Sequence, residues 1–143
     1  MTINLNSPIS EIINTRITTL HPKDTIKHAE QLFIQSDRRI LPVIVGGKYR
    51  GVLQQNNFHT IRKANSFYVK VGNKALDISA MKVEDFYSAK VVTLSTEAYI
   101  KDAIELFVKC RQYYIPIVDD DEFVGLVTSY DVFSYILEKN FKQ

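Results

Sequence analysis

Apolar positions recur along this chain in two rhythms, and the whole pattern comes round twice. Ile26, Ala29, Leu32 and Phe33 fall at helical spacing, as do Ile100, Ala103, Ile104 and Phe107, so each stretch predicts a helix with one inward face. Ahead of each helix lies a short β-branched apolar run, Ile17 to Leu20 and Val91 to Leu94, which predicts a strand. After each helix come two runs closed around turn residues. Ile40 to Val45 and Tyr49 to Leu53 flank Gly46 and Gly47, while Tyr114 to Val118 and Phe123 to Val127 flank Asp119 to Asp121, so both read as paired strands. Ser7 before Pro8 predicts a short opening helix to about Asn14, matched by Lys82 to Ser88. Closing helices are expected over Asn56 to about Lys63 and over Ser129 to about Lys139.

Sliding the chain against itself by 74 positions lays Ile9–Ile61 on Val83–Tyr135 without a gap. Thr19 meets Thr93, Leu20 meets Leu94, Lys27 meets Lys101, Pro42 meets Pro116 and Gly51 meets Gly125. Elsewhere Ile, Val, Leu, Phe and Tyr exchange for one another, so the buried pattern is kept more faithfully than the letters. The expected fold class is therefore α/β: two pseudo-twofold related repeats, each helix, strand, helix, strand, strand, helix, packed sheet to sheet around a shared core. Residues 1–63 form the first repeat, 64–81 a linker and 82–143 the second repeat, in one compact module. Within the linker, Phe67 to Val71 and Lys74 to Ile78 surround Gly72-Asn73, which could turn a small hairpin or leave an irregular connection.

Composition narrows the function classes. With 143 residues, 45% apolar and 24% charged, the chain is long enough for a self-sufficient core. Eighteen basic against sixteen acidic residues leave a net charge of +2 and no dominant basic patch, which gives no footing for nucleic acid. Charges interrupt every apolar run before the ~20 residues of a membrane helix, so no membrane span is expected. The single cysteine, Cys110, and the lack of an N-terminal apolar signal point to a cytoplasmic protein. His21, His28 and His59 show no ligand spacing with Cys110, so no metal is expected, and no nucleophile elbow or phosphate loop suggests an enzyme.

The candidate chemistry sits where a strand runs straight into the last helix, at Gly125-Leu126-Val127-Thr128-Ser129-Tyr130-Asp131. Thr128 stands at the cap and Asp131 three residues later, the spacing of a capping box in which each side chain satisfies an orphan amide. The same corner suits a nucleotide. Free amides and the positive end of the helix dipole would face a phosphate, Thr128 could donate to it, and the Asp131 carboxylate could hold the cis-diol of a ribose.

On these residues the chain resembles a tandem pair of cystathionine β-synthase (CBS) domains, a Bateman module. The resemblance rests on an apolar-Pro-apolar strand in each repeat, Ile40-Leu41-Pro42-Val43 and Tyr114-Ile115-Pro116-Ile117. It rests also on the Gly, two apolar residues, Thr, two free positions and Asp that close the second repeat. It implies a stand-alone regulatory module, not an enzyme, that binds an adenosine nucleotide or related adenosyl ligand (AMP, ADP, ATP or S-adenosylmethionine) between the repeats and changes the surface it offers an unidentified regulated protein. Carried over by position, Thr128 would meet phosphate and Asp131 ribose, Tyr114, Ile115, Pro116, Ala89, Lys90 and Val91 would line the adenine, and Ser129 belongs to the same ligand-binding set.

The first repeat departs from the pattern. It has Gln54 where the hydroxyl should stand and Asn57 where the carboxylate should, so a second, weaker site is expected from Gln54, Asn57, Arg39, Ile40, Leu41, Pro42, Arg16 and Ile17. Arg38, Arg39 and Arg50 could answer a phosphate there by charge alone. The other reading is a structural or interaction protein that keeps the paired fold without a functional nucleotide site. Under either, Phe58, Ile61, Val132, Phe133, Ile136 and Leu137 on the closing helices make an apolar set that predicts a homodimer.

Overall fold

The computed structural model describes residues 4–55, 60–63 and 66–141. Two compact units emerge, and neither is a contiguous stretch of one repeat: one spans Thr18–Lys90, the other Met1–Ile17 together with Val91–Gln143.

In the Thr18–Lys90 unit, helix α1 (Ile26–Ser36) starts where the Thr25 hydroxyl accepts from the His28 amide at 3.1 Å, and it stops at Asp37 in the left-handed region, φ 53°. Strands β1 (Ile40–Val45) and β2 (Lys48–Gln54) pair antiparallel across the Gly46-Gly47 turn, whose φ values of 55° and 81° suit a tight primed turn. Leu20 lies parallel to Val43 on the far side of β1, and Ser88 antiparallel to Val52 on the far side of β2. The core gathers Leu20, Ile26, Ala29, Phe33, Leu41, Val43, Leu53, Ile78 and Val83.

The other unit repeats this plan. Helix α2 (Ile100–Cys110) ends at Arg111, φ 50°, and strands β6 (Tyr114–Asp119) and β7 (Glu122–Thr128) pair antiparallel. Helix α3 (Ser129–Phe141) closes it. Leu94 lies parallel to Ile117, and Asn14 antiparallel to Leu126. Its core holds Ile9, Ile100, Ala103, Phe107, Ile115, Ile117, Val127 and Val132.

The opening segments have therefore changed places. Ile9 donates its amide to Ala98 O at 2.9 Å, and Val83, its counterpart, donates to Asp24 O at 2.8 Å. Asn14 exchanges two backbone bonds with Leu126 at 3.0 Å, as Ser88 does with Val52 at 2.9 Å. Gly125 and Gly51 are what admit these segments: a Cβ at Gly125 would run into the Asn14 carbonyl, and one at Gly51 into that of Ser88.

Three expectations change. The opening helices are single 3-10 turns, Ile9–Glu11 and Val83–Asp85, with Pro8 just outside the first. The strands over Ile17 to Leu20 and Val91 to Leu94 reduce to single bridges at Leu20 and Leu94, because a regular parallel ladder would next need an N–H from Pro42 or Pro116. The expected helix over Asn56 to Lys63 is not formed at its end: Thr60–Lys63 is strand β3, paired antiparallel with β4 (Ser66–Val71), and Asn56 to His59 lie outside the described residues. β-Branched Thr60 and Ile61 find a ladder partner in the Phe67-Tyr68-Val69 run, where β propensity outweighs a helical start without a hydroxyl cap. β5 (Lys74–Asp77) pairs with β4 across Gly72-Asn73, so the linker does turn a hairpin.

Candidate functional site

The strand-to-helix corner of the second repeat is a closed capping box. The Asp131 Oδ2 accepts the Thr128 amide at 2.8 Å and the Thr128 hydroxyl at 2.9 Å, and the Asp131 amide returns a bond to Thr128 Oγ1 at 3.3 Å. One turn back, the Ser129 amide donates to Tyr113 O at 3.0 Å. Two groups are left over. Among the described residues neither Asp131 Oδ1 nor the Tyr130 amide has a partner, so the corner presents one carboxylate oxygen and one N–H at the positive end of α3.

Tyr114, Ile115, Pro116, Val91, Ser129, Thr128 and Asp131 all belong to the unit that contains α3, whereas Ala89 and Lys90 end the Thr18–Lys90 unit, both exposed. Ile115 is fully buried in the core and Pro116 is buried, so Tyr114, half-buried, is the strand side chain left at the surface. Burial pushes the Tyr114 phenol above its ordinary value of 10.0.

Of the second set, Arg39, Ile40, Leu41, Pro42 and Gln54 belong to the Thr18–Lys90 unit, while Arg16 and Ile17 end the first stretch of the other. Leu41 is a core residue, and Asn57 lies outside the described residues. The Arg39 carbonyl accepts from the Gln55 amide at 2.8 Å, the counterpart of the Tyr113 to Ser129 bond, so that one backbone bond is kept although the residues around it differ. Among the described residues no group of His, Cys, Asp or Glu gathers to hold a metal ion.

Sequence reasoning missed Gln112. Its Oε1 accepts from the Val92 amide at 3.1 Å, and its Nε2 donates to the carbonyls of Val92 and Tyr114, both at 2.8 Å. The signal was available: a polar residue four positions before a strand proline that strips a donor from the neighbouring backbone.

The CBS domain family model matches residues 9–57 and 83–138. The chain belongs to the CBS domain family. Its two CBS repeats are 24% identical over 126 residues to CBS domain-containing protein YhcV of Bacillus subtilis, covering 88% of this chain and 83% of that one. An inosine-5'-monophosphate dehydrogenase of Korarchaeum cryptofilum is 25% identical over 118 residues, which is 82% of this chain and 22% of the enzyme. A homoserine O-acetyltransferase of Methanosphaera stadtmanae is 43% identical over 56 residues, 38% of this chain and 11% of that one. The chain thus spans only a small part of these two enzymes. Among solved structures the CBS pair resembles CBSX2 in complex with AMP, at TM-score 0.74 and 15% identity, covering 93% of this chain and 98% of that one. It also resembles a Methanocaldococcus jannaschii protein described as a candidate archaeal homologue of γ-AMPK, at TM-score 0.75 and 18% identity, covering 93% of this chain and 49% of the other. No helix among the described residues is long and apolar enough to cross a membrane.

Proposed function

We propose that this CBS pair is a regulatory module, not a catalyst, that binds an adenosyl nucleotide at the second-repeat corner and hands the change on to a partner protein. The observation that carries the reading is the split use of Asp131: Oδ2 closes the cap, and Oδ1 is left to accept from a ribose diol without unmaking it. The Tyr130 amide supplies a donor toward the phosphate, and the half-buried Tyr114 a flat surface for the base. Asn57 and Gln54 lack the charge and the hydroxyl that this arrangement uses, so the first repeat is the weaker site.

Titration calorimetry with AMP, ADP, ATP and S-adenosylmethionine tests the reading. Binding of at least one, weakened by Asp131→Asn, supports it; heat from none defeats it. The rival reading, a protein-interaction fold without a functional nucleotide site, has one observation in its favour: the Thr128 hydroxyl has a single proton and already gives it to Asp131. It predicts that none of these ligands raises the melting temperature, whereas a ligand at about 100 times its Kd would add roughly 2.7 kcal/mol.

The homodimer belongs to the same proposal in revised form. Val132 is buried in the core and Ile61 lies on β3, so neither is the helical contact expected of it, and Phe58 lies outside the described residues. Phe133 and Leu137, one turn apart on α3 and 63% and 59% exposed, remain for a second copy, beside Val108 at 73%. A monomeric mass in light scattering at micromolar concentration would refute this contact.

A further inference from the structure

Pro116 leaves a gap in the backbone ladder, and a side chain fills it. Leu94 donates to Pro116 O at 3.2 Å and accepts from the Val118 amide at 2.9 Å. One rung earlier the same ladder would take Val92 N–H to Tyr114 O and an N–H of residue 116 to Val92 O, but proline has none. The Gln112 carboxamide enters there instead, accepting from Val92 N–H at 3.1 Å and donating to the Val92 and Tyr114 carbonyls at 2.8 Å each. It shows the Val92 peptide a donor beside an acceptor, the pattern that an adenine edge also shows, with its amino group beside a ring nitrogen.

The first repeat has the same rung and the same proline without this occupant. Leu20 donates to Pro42 O and accepts from Ile44 N–H, both at 2.8 Å, yet the residue standing where Gln112 does is Arg38. A guanidinium carries donors only, so it cannot accept from the Thr18 amide. Among the described residues no hydrogen bond joins the Arg38 side chain to Thr18.

We propose that Gln112 is an internal occupant of the base-binding edge on the second repeat: its carboxamide pairs with the Val92 peptide, and an adenine enters by displacing it. Gln112 is thereby a specificity-determining residue, since a base must match the donor–acceptor pair it gives up. This rests on the reading that the second-repeat corner takes an adenosyl ligand.

The experiment compares wild type with Gln112→Met, close in size but without the carboxamide, by calorimetric titration with AMP and by amide hydrogen exchange at Val92. An edge closed nine-tenths of the time weakens binding about tenfold, so the variant should bind AMP roughly tenfold tighter, with faster exchange at Val92. Should that variant fail to fold, Gln112→Ala is read by the same criteria. If wild type binds AMP in an Asp131-dependent manner and the folded variant binds equally or more weakly, the occupant role is overturned while the nucleotide reading stands. If neither protein binds AMP, the occupant role falls, and the nucleotide reading falls with it only when ADP, ATP and S-adenosylmethionine also fail to bind.

Discussion

Ile9 holds in one core the place that Val83 holds in the other, and each comes from the opposite sequence repeat. Both are fully buried, and each opens the 3-10 turn of a segment that enters its unit from far away in the chain. Much of the two cores corresponds at the same offset, Ile26 to Ile100, Ala29 to Ala103, Phe33 to Phe107, Leu41 to Ile115, Val43 to Ile117 and Leu53 to Val127.

Ile9→Ala should accordingly cost about as much as truncating a core strand residue such as Ile117, roughly 2–5 kcal/mol. Chemical denaturation of the full chain measures it. A loss below about 1 kcal/mol would mean that the N-terminal segment is only loosely laid on its unit.

Gly125→Ala forces a Cβ against the backbone carbonyl of Asn14, which cannot rotate away. The expected destabilisation is about 1–3 kcal/mol, with the Asn14 and Leu126 amides exchanging faster than in wild type. Unchanged protection of those amides would refute the role of the glycine.

Asp131→Asn keeps an acceptor for the Thr128 amide, so stability should fall by less than about 1 kcal/mol. Binding of an adenosyl nucleotide should weaken by about 1.5–3 kcal/mol, the value of a hydrogen bond to a charged group. Parallel melting and titration curves separate the two effects, and equal affinity would reduce Asp131 to a helix cap.

Acid stability should depend on Asp119. Its carboxylate accepts the Thr96 amide at 2.9 Å and the Thr96 hydroxyl at 2.7 Å, and these two bonds, the backbone one first, hold it below its ordinary value of 3.8. With the folded value depressed, the folded protein gives up its proton more readily than the unfolded chain. The stabilisation is then present above about pH 4 and is lost as pH falls through the folded value. Thr96→Val removes the hydroxyl bond, so melting curves of variant and wild type should differ near neutrality and converge in acid.

Much of the plan could be read from the residues. The spacing in Ile26 to Phe33 and Ile100 to Phe107 found both helices, and the Thr128 to Asp131 interval found the cap with the bonds it makes. The exchange of opening segments could not be read, for a reason of symmetry. A segment like Ile9 to Asn14 has an equivalent at Val83 to Ser88, so self-similarity allows it to pack on either copy, and only non-local backbone bonds decide. Thr60 to Lys63 misled because an apolar residue at Ile61, three after Phe58, mimics one helical turn, while its strand partner is Ser66 to Val69, a run that the helical reading leaves out. The core residues Ile115 and Leu41 show a further limit: each stands in a run of three consecutive buried residues, so both faces of the strand are covered and no alternation in the sequence separates a lining residue from a core one.

The chain passes from one unit to the other at Ile17–Thr18 and again at Lys90–Val91. Dividing the gene in the linker would therefore yield two polypeptides, each carrying a wedge cut for the other and lacking its own. Neither should form a sound core in isolation; mixed, they should restore one another by complementation.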